Sequence, residues 1–163
     1  MRIRKATAAD LPEMMKLYAA ARQFMRENGN PSQWGDDYPK IEVLEADIAS
    51  DHSYAVLADD SDELIGTFCF YVGIEPVYLK IEQGQWINEA PYGVVHRITT
   101  AGKNKGLGSK ILDWCLDQCG NVRIDTHRDN YPMQRVLEKN GFRYCGVIQW
   151  VDGTDRIAFQ KLR

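Results

Sequence analysis

Residues 92–126 read "YGVVHRITTAGKNKGLGSKILDWCLDQCGNVRIDT", three candidate elements and one loop in a single stretch. "YGVVHRITT" is rich in β-branched residues and predicts a strand. "GLGSKILDWCLDQCG" places Leu107, Ile111, Leu112, Cys115, Leu116 and Cys119 at helical spacing and stops at Gly120, the pattern of an amphipathic helix with a glycine terminus. "VRIDT" predicts another short strand. A strand that returns through a helix to a second strand implies parallel pairing.

Working outward, "YPMQRVLEKNGF" predicts a helix with Met133, Val136 and Leu137 inward and Gly141 just past its end. "FRYCGVIQWV", Asp152-Gly153 and "DRIAFQKL" give the best hairpin signal in the chain. On the N-terminal side, "SYAVLA" and "ELIGTFCFYVGI" are strands split by the acidic turn "DDSDE". "RIRKAT" predicts a first strand. Thr7 stands where a helix N-cap would, with Asp10 three residues on and Pro12 in the first turn. Leu11, Met14, Met15, Tyr18, Ala21 and Met25 continue a helix that "ENGNP" ends, and "IEVLEADIAS" predicts a shorter one. The order β-α-α-β-β-β-α-β-α-β-β predicts the α/β class, a mixed sheet with helices on its faces, in one domain over residues 1–163.

Composition narrows the function. The 163 residues carry a formal net charge of −3 with mixed signs, which argues against nucleic acid as the main partner. No apolar run reaches the roughly 20 residues that cross a bilayer. "MRIRKATAADLPEMM" lacks the apolar core of a signal peptide, so a cytoplasmic location is expected. Cys69, Cys115, Cys119 and Cys145 fit that compartment as core thiols. Cys115 and Cys119 share a helix face, but His52, His96 and His127 are scattered singly, so no metal site is expected.

Against this acidic background, "KNKGLGSK" (103–110) is anomalous. From Ala90 to Leu112 there is no Asp or Glu, while Arg97, Lys103, Lys105 and Lys110 fall in that window. The loop lies between a strand and a helix, where free N–H groups and the helix dipole favour an anion. Gly106 and Gly108 let a ligand approach the backbone. The Walker pattern is absent, and Gly106-Leu107-Gly108 matches the dinucleotide fingerprint poorly. A glycine turn with solvated lysines is the bland alternative.

Lys103-Asn104-Lys105-Gly106-Leu107-Gly108 between strand and helix resembles the acetyl-CoA pyrophosphate loop of the GNAT superfamily of N-acetyltransferases. Asn130 followed by "LEKNGF" and a strand resembles that family's second CoA-side motif. The resemblance covers nearly the whole chain by element order and residues 94–146 by motif. It implies a GNAT-like acyl-CoA N-acyltransferase fold, a central, mostly antiparallel mixed sheet flanked by about four helices. It also implies acetyl-CoA as cosubstrate and direct attack by a primary amine, with no acyl-enzyme.

By the same resemblance, backbone amides at Ile98, Thr99 and Thr100 would face the thioester and pantetheine arm. Lys103 and Lys105 would supply charge, Asn104 and Leu107 complete the loop, and the backbone of Gly106, Gly108 and Ser109 would grip the pyrophosphate, with Asn130 on the cofactor side. Two positions depart from the pattern. Lys103 stands where Gln or Arg is usual, and Leu137 where a tyrosine is thought to protonate the leaving thiolate.

Three residues are candidates for the base: Glu75 after "FCFYVGI", His96 within its strand, and His127 after "RIDT"; a water chain is the alternative. Tyr131 and Tyr144 are candidate acids, against the reading that none is needed. Trp34, Tyr38, Tyr78, Trp86 and Tyr92 lie in two stretches, 30–39 and 76–93, that also carry carboxylates. They suit a pocket for a small-molecule amine, and equally a plug at the sheet's open end or a homodimer contact. A CoA-binding regulatory module without catalysis is the rival reading, and Leu137 sustains it.

Overall fold

The computed structural model describes residues 1–163. Seven strands form one sheet in the order β1-β2-β3-β4-β5-β7-β6. They are β1 (Arg2–Lys5), β2 (Ser53–Leu57), β3 (Leu64–Val72), β4 (Gly93–Thr100), β5 (Asn121–Thr126), β6 (Arg143–Gln149) and β7 (Asp155–Leu162). Helices α1 (Leu11–Glu27) and α2 (Ile41–Ala49) precede β2, α3 (Leu107–Cys119) joins β4 to β5, and α4 (Tyr131–Lys139) joins β5 to β6. The expected element order holds throughout.

All strand pairs are antiparallel except β4–β5. The strand–helix–strand–helix–strand block thus produces parallel hydrogen bonding only once. β5 and β6 run parallel but do not pair, because the C-terminal strand β7 lies between them and bonds to both. The β6–β7 hairpin signal was readable locally. The insertion of its second arm beside β5 is a long-range choice that places Phe159 in the core and Gln160 among buried amides.

Each face of the sheet is covered by a different means. Leu107, Ile111, Leu112, Cys115 and Leu116 of α3 pack with Leu137 and Phe142 onto Phe68, Phe70, Val95, Val122, Ile124 and Phe159. Each such large aliphatic side chain contributes about 1.5–3 kcal/mol by leaving water. Gly93 lets this layer close, since a Cβ there would lie 2.7 Å from the Cys119 sulfur and 2.6 Å from the Phe70 ring. On the opposite face, Met14, Tyr18 and Leu44 of α1 and α2 cover the β2 end around Ala55.

The β4–β7 end of that opposite face is covered by the β3–β4 connection, residues 73–92, whose only helical turn is the short 3-10 segment Pro76–Tyr78. Tyr78, Trp86 and Tyr92 pack there against Val94, Cys145, Ile148 and Ala158. The Arg123 guanidinium lies 4.3 Å from the Trp86 ring and 4.0 Å from the Tyr92 ring. Gln160, fully buried, bonds to the Ile87 amide and to Asn88 and Asn121. These three aromatics are therefore plug, not pocket.

Candidate active site

Parallel pairing of β4 and β5 covers only Gly93–Val95 against Val122–Ile124. Beyond it β4 bends away. Two residues, Arg97 and Ile98, stand opposite Phe68 alone, since Cys69 pairs with His96 and Thr67 with Thr99. Such a bulge adds a kink and local twist. Arg97 takes a left-handed conformation with φ of 51°, which costs a non-glycine residue on the order of 1 kcal/mol. Its guanidinium holds Asp47 of α2 at 2.7, 2.8 and 3.0 Å, and the Tyr18 hydroxyl donates to its carbonyl at 2.8 Å. The strained turn is thereby fastened from two helices.

The split opens a cavity of about 330 Å³. His96, Arg97 and Ile98 of β4 form one wall and Ile124, Asp125 and Thr126 of β5 the other. Asn130 and Met133 border it at the start of α4. Trp34 and Tyr38 close it from the α1–α2 loop, and Trp150 and Arg156 from the β6–β7 hairpin. The 30–39 aromatics thus line the cavity that the 76–93 aromatics do not. Thr126 Oγ1 is buried and has no hydrogen-bond partner, a polar atom awaiting one on the cavity wall.

Glu75 and His96 meet. His96 Nε2 and Glu75 Oε2 are 2.7 Å apart, and the Tyr71 hydroxyl donates to the same oxygen at 2.6 Å. Burial alone would raise the Glu75 carboxyl, but the hydrogen bonds from His96 and Tyr71 outweigh it and hold it down to about 2. An ionised carboxylate only accepts, so the Nε2 facing it carries the proton. In the neutral ring the lone pair is then on Nδ1. No protein group bonds to Nδ1, and His96 lines the cavity beneath the Trp150 ring, 5.3 Å between centroids. Asp125, beside it on β5, accepts from Tyr78 at 2.6 Å; burial pushes its carboxyl up.

The other expected acid–base residues fall elsewhere. His127 lies past β5 off the cavity lining, where its Nδ1 accepts from the Asp129 amide at 3.1 Å and burial lowers its basicity. Tyr131 is 59% exposed at the start of α4 and Tyr144 is 54% exposed on β6, and neither lines the cavity. Leu137 is 0% exposed within the α3–α4 core. A side chain there reaches packed carbon, so the departure from the tyrosine pattern is a packing choice.

At the loop, Gly106 has φ of 77° and caps α3, and the amides of Gly108 and Ser109 have no acceptor in the protein. A Cβ built on Gly102 or Gly106 meets nothing within 4 Å, so the space in front of the turn is open. Asn104 Nδ2 is buried and unpartnered, while Asn140 donates to Ser109 Oγ at 2.8 Å. Lys105 is exposed, but Lys103 ion-pairs with Glu63 of the β2–β3 turn. The basic window also divides, since Arg97 is neutralised by Asp47 on the far side of the sheet. Asn130 caps α4 by accepting from the Met133 amide at 3.1 Å and donates to Gln33 at 2.9 Å. It positions the α1–α2 loop. Ile98 faces the cavity, Thr99 is buried, and Leu107 belongs to the core.

Sequence reasoning missed Asp125, Thr126, Trp150 and Arg156. Asp125 and Arg156 carried a signal, charged residues alternating with Ile124 and Ile157 on interior strands, whereas Thr126 at a strand end and Trp150 in a loop carried none. Free loop amides, open space before Gly106 and the orphaned Asn104 and Thr126 groups together fit a long ligand carrying a pyrophosphate at one end and a reactive group in the cavity.

A sheet split at one parallel pair, with an open helix start on one face and a cavity between the strands, is the architecture of the acyl-CoA-dependent acyltransferases. The sequence model described as "Acetyltransferase (GNAT) domain" matches residues 1–143, and the chain belongs to this family of N-acetyltransferases, whose members bind acetyl-CoA or CoA.

Among solved structures, a GNAT-family acetyltransferase from Streptococcus agalactiae is similar with 29% identity and a TM-score of 0.89, over 99% of this chain and 95% of that one. A putative acetyltransferase from Staphylococcus aureus shares the fold at 24% identity and TM-score 0.72, over 99% of each chain. A phosphinothricin acetyltransferase from Sinorhizobium meliloti, in complex with AcCoA, shares it at 14% identity and TM-score 0.62, over 99% of this chain and 87% of that one. A search of curated proteins gives no match. No helix is long and apolar enough to cross a membrane.

Proposed function

We propose that the chain transfers an acetyl group from acetyl-CoA to the primary amine of a small molecule, with His96 as proton acceptor and Glu75 as its positioning residue. The observation that carries this is the 2.7 Å Glu75–His96 pair, with His96 on the wall of the cavity and Glu75 behind it. Acetyl-CoA supplies an acetyl carbon that an amine attacks directly. The Gly106–Ser109 backbone and Lys105 hold its pyrophosphate. The bulge frees the β4 edge near Ile98 for its thioester arm. His96 Nδ1 removes the proton that the amine sheds, and Glu75 stabilises the imidazolium that forms. No tyrosine touches the cavity from α4, so the departing thiolate needs no dedicated acid there and leaves at its own basicity. Trp34, Tyr38 and Trp150 enclose the acceptor and exclude water.

An amine-library screen following thiol release from acetyl-CoA tests this reading. Release with a small primary amine, lowered about 10²–10⁴-fold in kcat by His96→Ala, is the expected result. Tight CoA binding with no release from any amine would favour the regulatory module instead.

A further inference from the structure

Arg156 is 5% exposed, lines the cavity, and bonds to a hydroxyl and two carbonyls but to no carboxylate. The other cavity arginine, Arg97, is neutralised by Asp47, and the remaining buried one, Arg123, is sandwiched by aromatic rings. Asp125 and Asp152, which also line the cavity, are the nearest counter-charges to Arg156, but neither pairs with it directly, and a buried guanidinium without a direct partner is costly. Three of its five N–H donors are engaged: Nη1 bonds Thr154 Oγ1 at 2.6 Å and the Asp155 carbonyl at 3.2 Å, and Nη2 the Gln33 carbonyl at 3.3 Å. Nε–H and one Nη2–H remain, a pair that matches a carboxylate held by two parallel bonds.

Arg156 is also on the right face. Ile157 and Phe159 of β7 and Ile124 of β5 point to the α3–α4 core. Strand alternation therefore puts Arg156 and Asp125 on the opposite face, with His96 of β4, where Val95 is the core-facing neighbour. β5 and β7 register Asp125 opposite Ala158, which makes Arg156 its diagonal neighbour, about 7–8 Å away. Base, carboxylate and guanidinium thus run in sequence across three adjacent strands. The helix start that suits the pyrophosphate is on the far face.

We propose that the acceptor is a primary amine bearing a carboxylate, of the amino-acid class, its carboxylate held by Arg156 and its amino group turned toward His96 and Asp125. This deepens the acetyl-transfer reading and rests on it. The short spacing between the two ends of an α-amino acid suits the adjacent rows of Asp125 and Arg156, with His96 one strand further. The aromatic walls of Trp34, Tyr38 and Trp150 cover its remaining surface.

The test compares, in the thiol-release assay, neutral L-α-amino acids with their primary amides and their decarboxylated amines. The wild-type protein is expected to prefer the acids by about 10- to 100-fold in kcat/KM. Arg156→Gln should raise KM for the acids by a similar factor, leave KM for acetyl-CoA unchanged and abolish the preference; Arg156→Lys should fall between. The wild-type comparison needs no variant, so a substitution that fails to fold does not protect the proposal. Equal or better use of amides or decarboxylated amines overturns it. If no amine releases thiol, protection of the wild-type protein against heat by the same acids and amides separates the two readings. Protection by acids alone upholds the carboxylate site while acetyl transfer fails, and equal or no protection overturns the site as well.

Discussion

The Glu75–His96 pair shows how a residue's neighbours assign its task. Glu75 was legible as a carboxylate at a strand end and His96 as a strand histidine, but each as a separate candidate. Their meeting depends on the turn after β3 folding back onto β4, where the Glu75 amide donates to the Tyr92 hydroxyl at 3.1 Å. Replacing Glu75 by Gln keeps the shape and removes the charge that stabilises a protonated His96. Steady-state kinetics should show kcat lowered about 10-fold or more with acetyl-CoA KM unchanged, and a shifted pH profile, which loss of packing alone would not give.

Leu137 makes the opposite point. Alignment to a family pattern suggested a missing acid, whereas 0% exposure makes it core. Leu137→Tyr is accordingly expected to destabilise the protein by about 1–3 kcal/mol through overpacking, read as a lower urea midpoint, without restoring any proton path.

At the scale of elements, periodicity made every strand and helix legible, because each buries one face against the same sheet. What it left unreadable was non-local. The bulge at Arg97 has no local sequence signal, since arginine is an unusual residue for a left-handed turn, and contacts with Asp47, Tyr18 and Tyr38, all distant in sequence, hold it there. The two aromatic stretches looked alike in composition. One became a plug and the other a cavity wall because residues 73–92 are fastened to β6 through the Glu82–Val147 bridge, whereas 30–39 hang from Asn130 through Gln33.

The α3 start was the most legible element, and its glycine is open to test. Gly106→Glu adds negative charge where the free amides converge and forces a residue with a Cβ to φ of 77°. Calorimetry should show CoA binding lost while the circular dichroism spectrum is retained; unchanged affinity would displace the pyrophosphate from this loop.

For the whole molecule, acid is the relevant stress. Glu75 titrates at about 2 in the folded protein, below the usual carboxylate value, and Asp10 is lowered as well by Arg4. Groups with depressed folded values stabilise above their unfolded value and lose that contribution as pH falls through the folded one. Asp125, raised by burial, acts in the opposite direction. Stability measured in urea should therefore fall between about pH 4.5 and 2, and fall less in Glu75→Gln, which lacks the depressed group. Equal acid sensitivity in both proteins would mean that the Glu75 carboxylate contributes nothing.

The position of β7 also ties selectivity to the integrity of one strand. Asp155–Leu162 is the only hydrogen-bonded link between β5 and β6, and it carries Arg156 to the cavity. Fraying of β7 would strip β5 and β6 of their shared neighbour and withdraw the guanidinium in the same motion. A loosened molecule is then inert rather than an unselective acetylator.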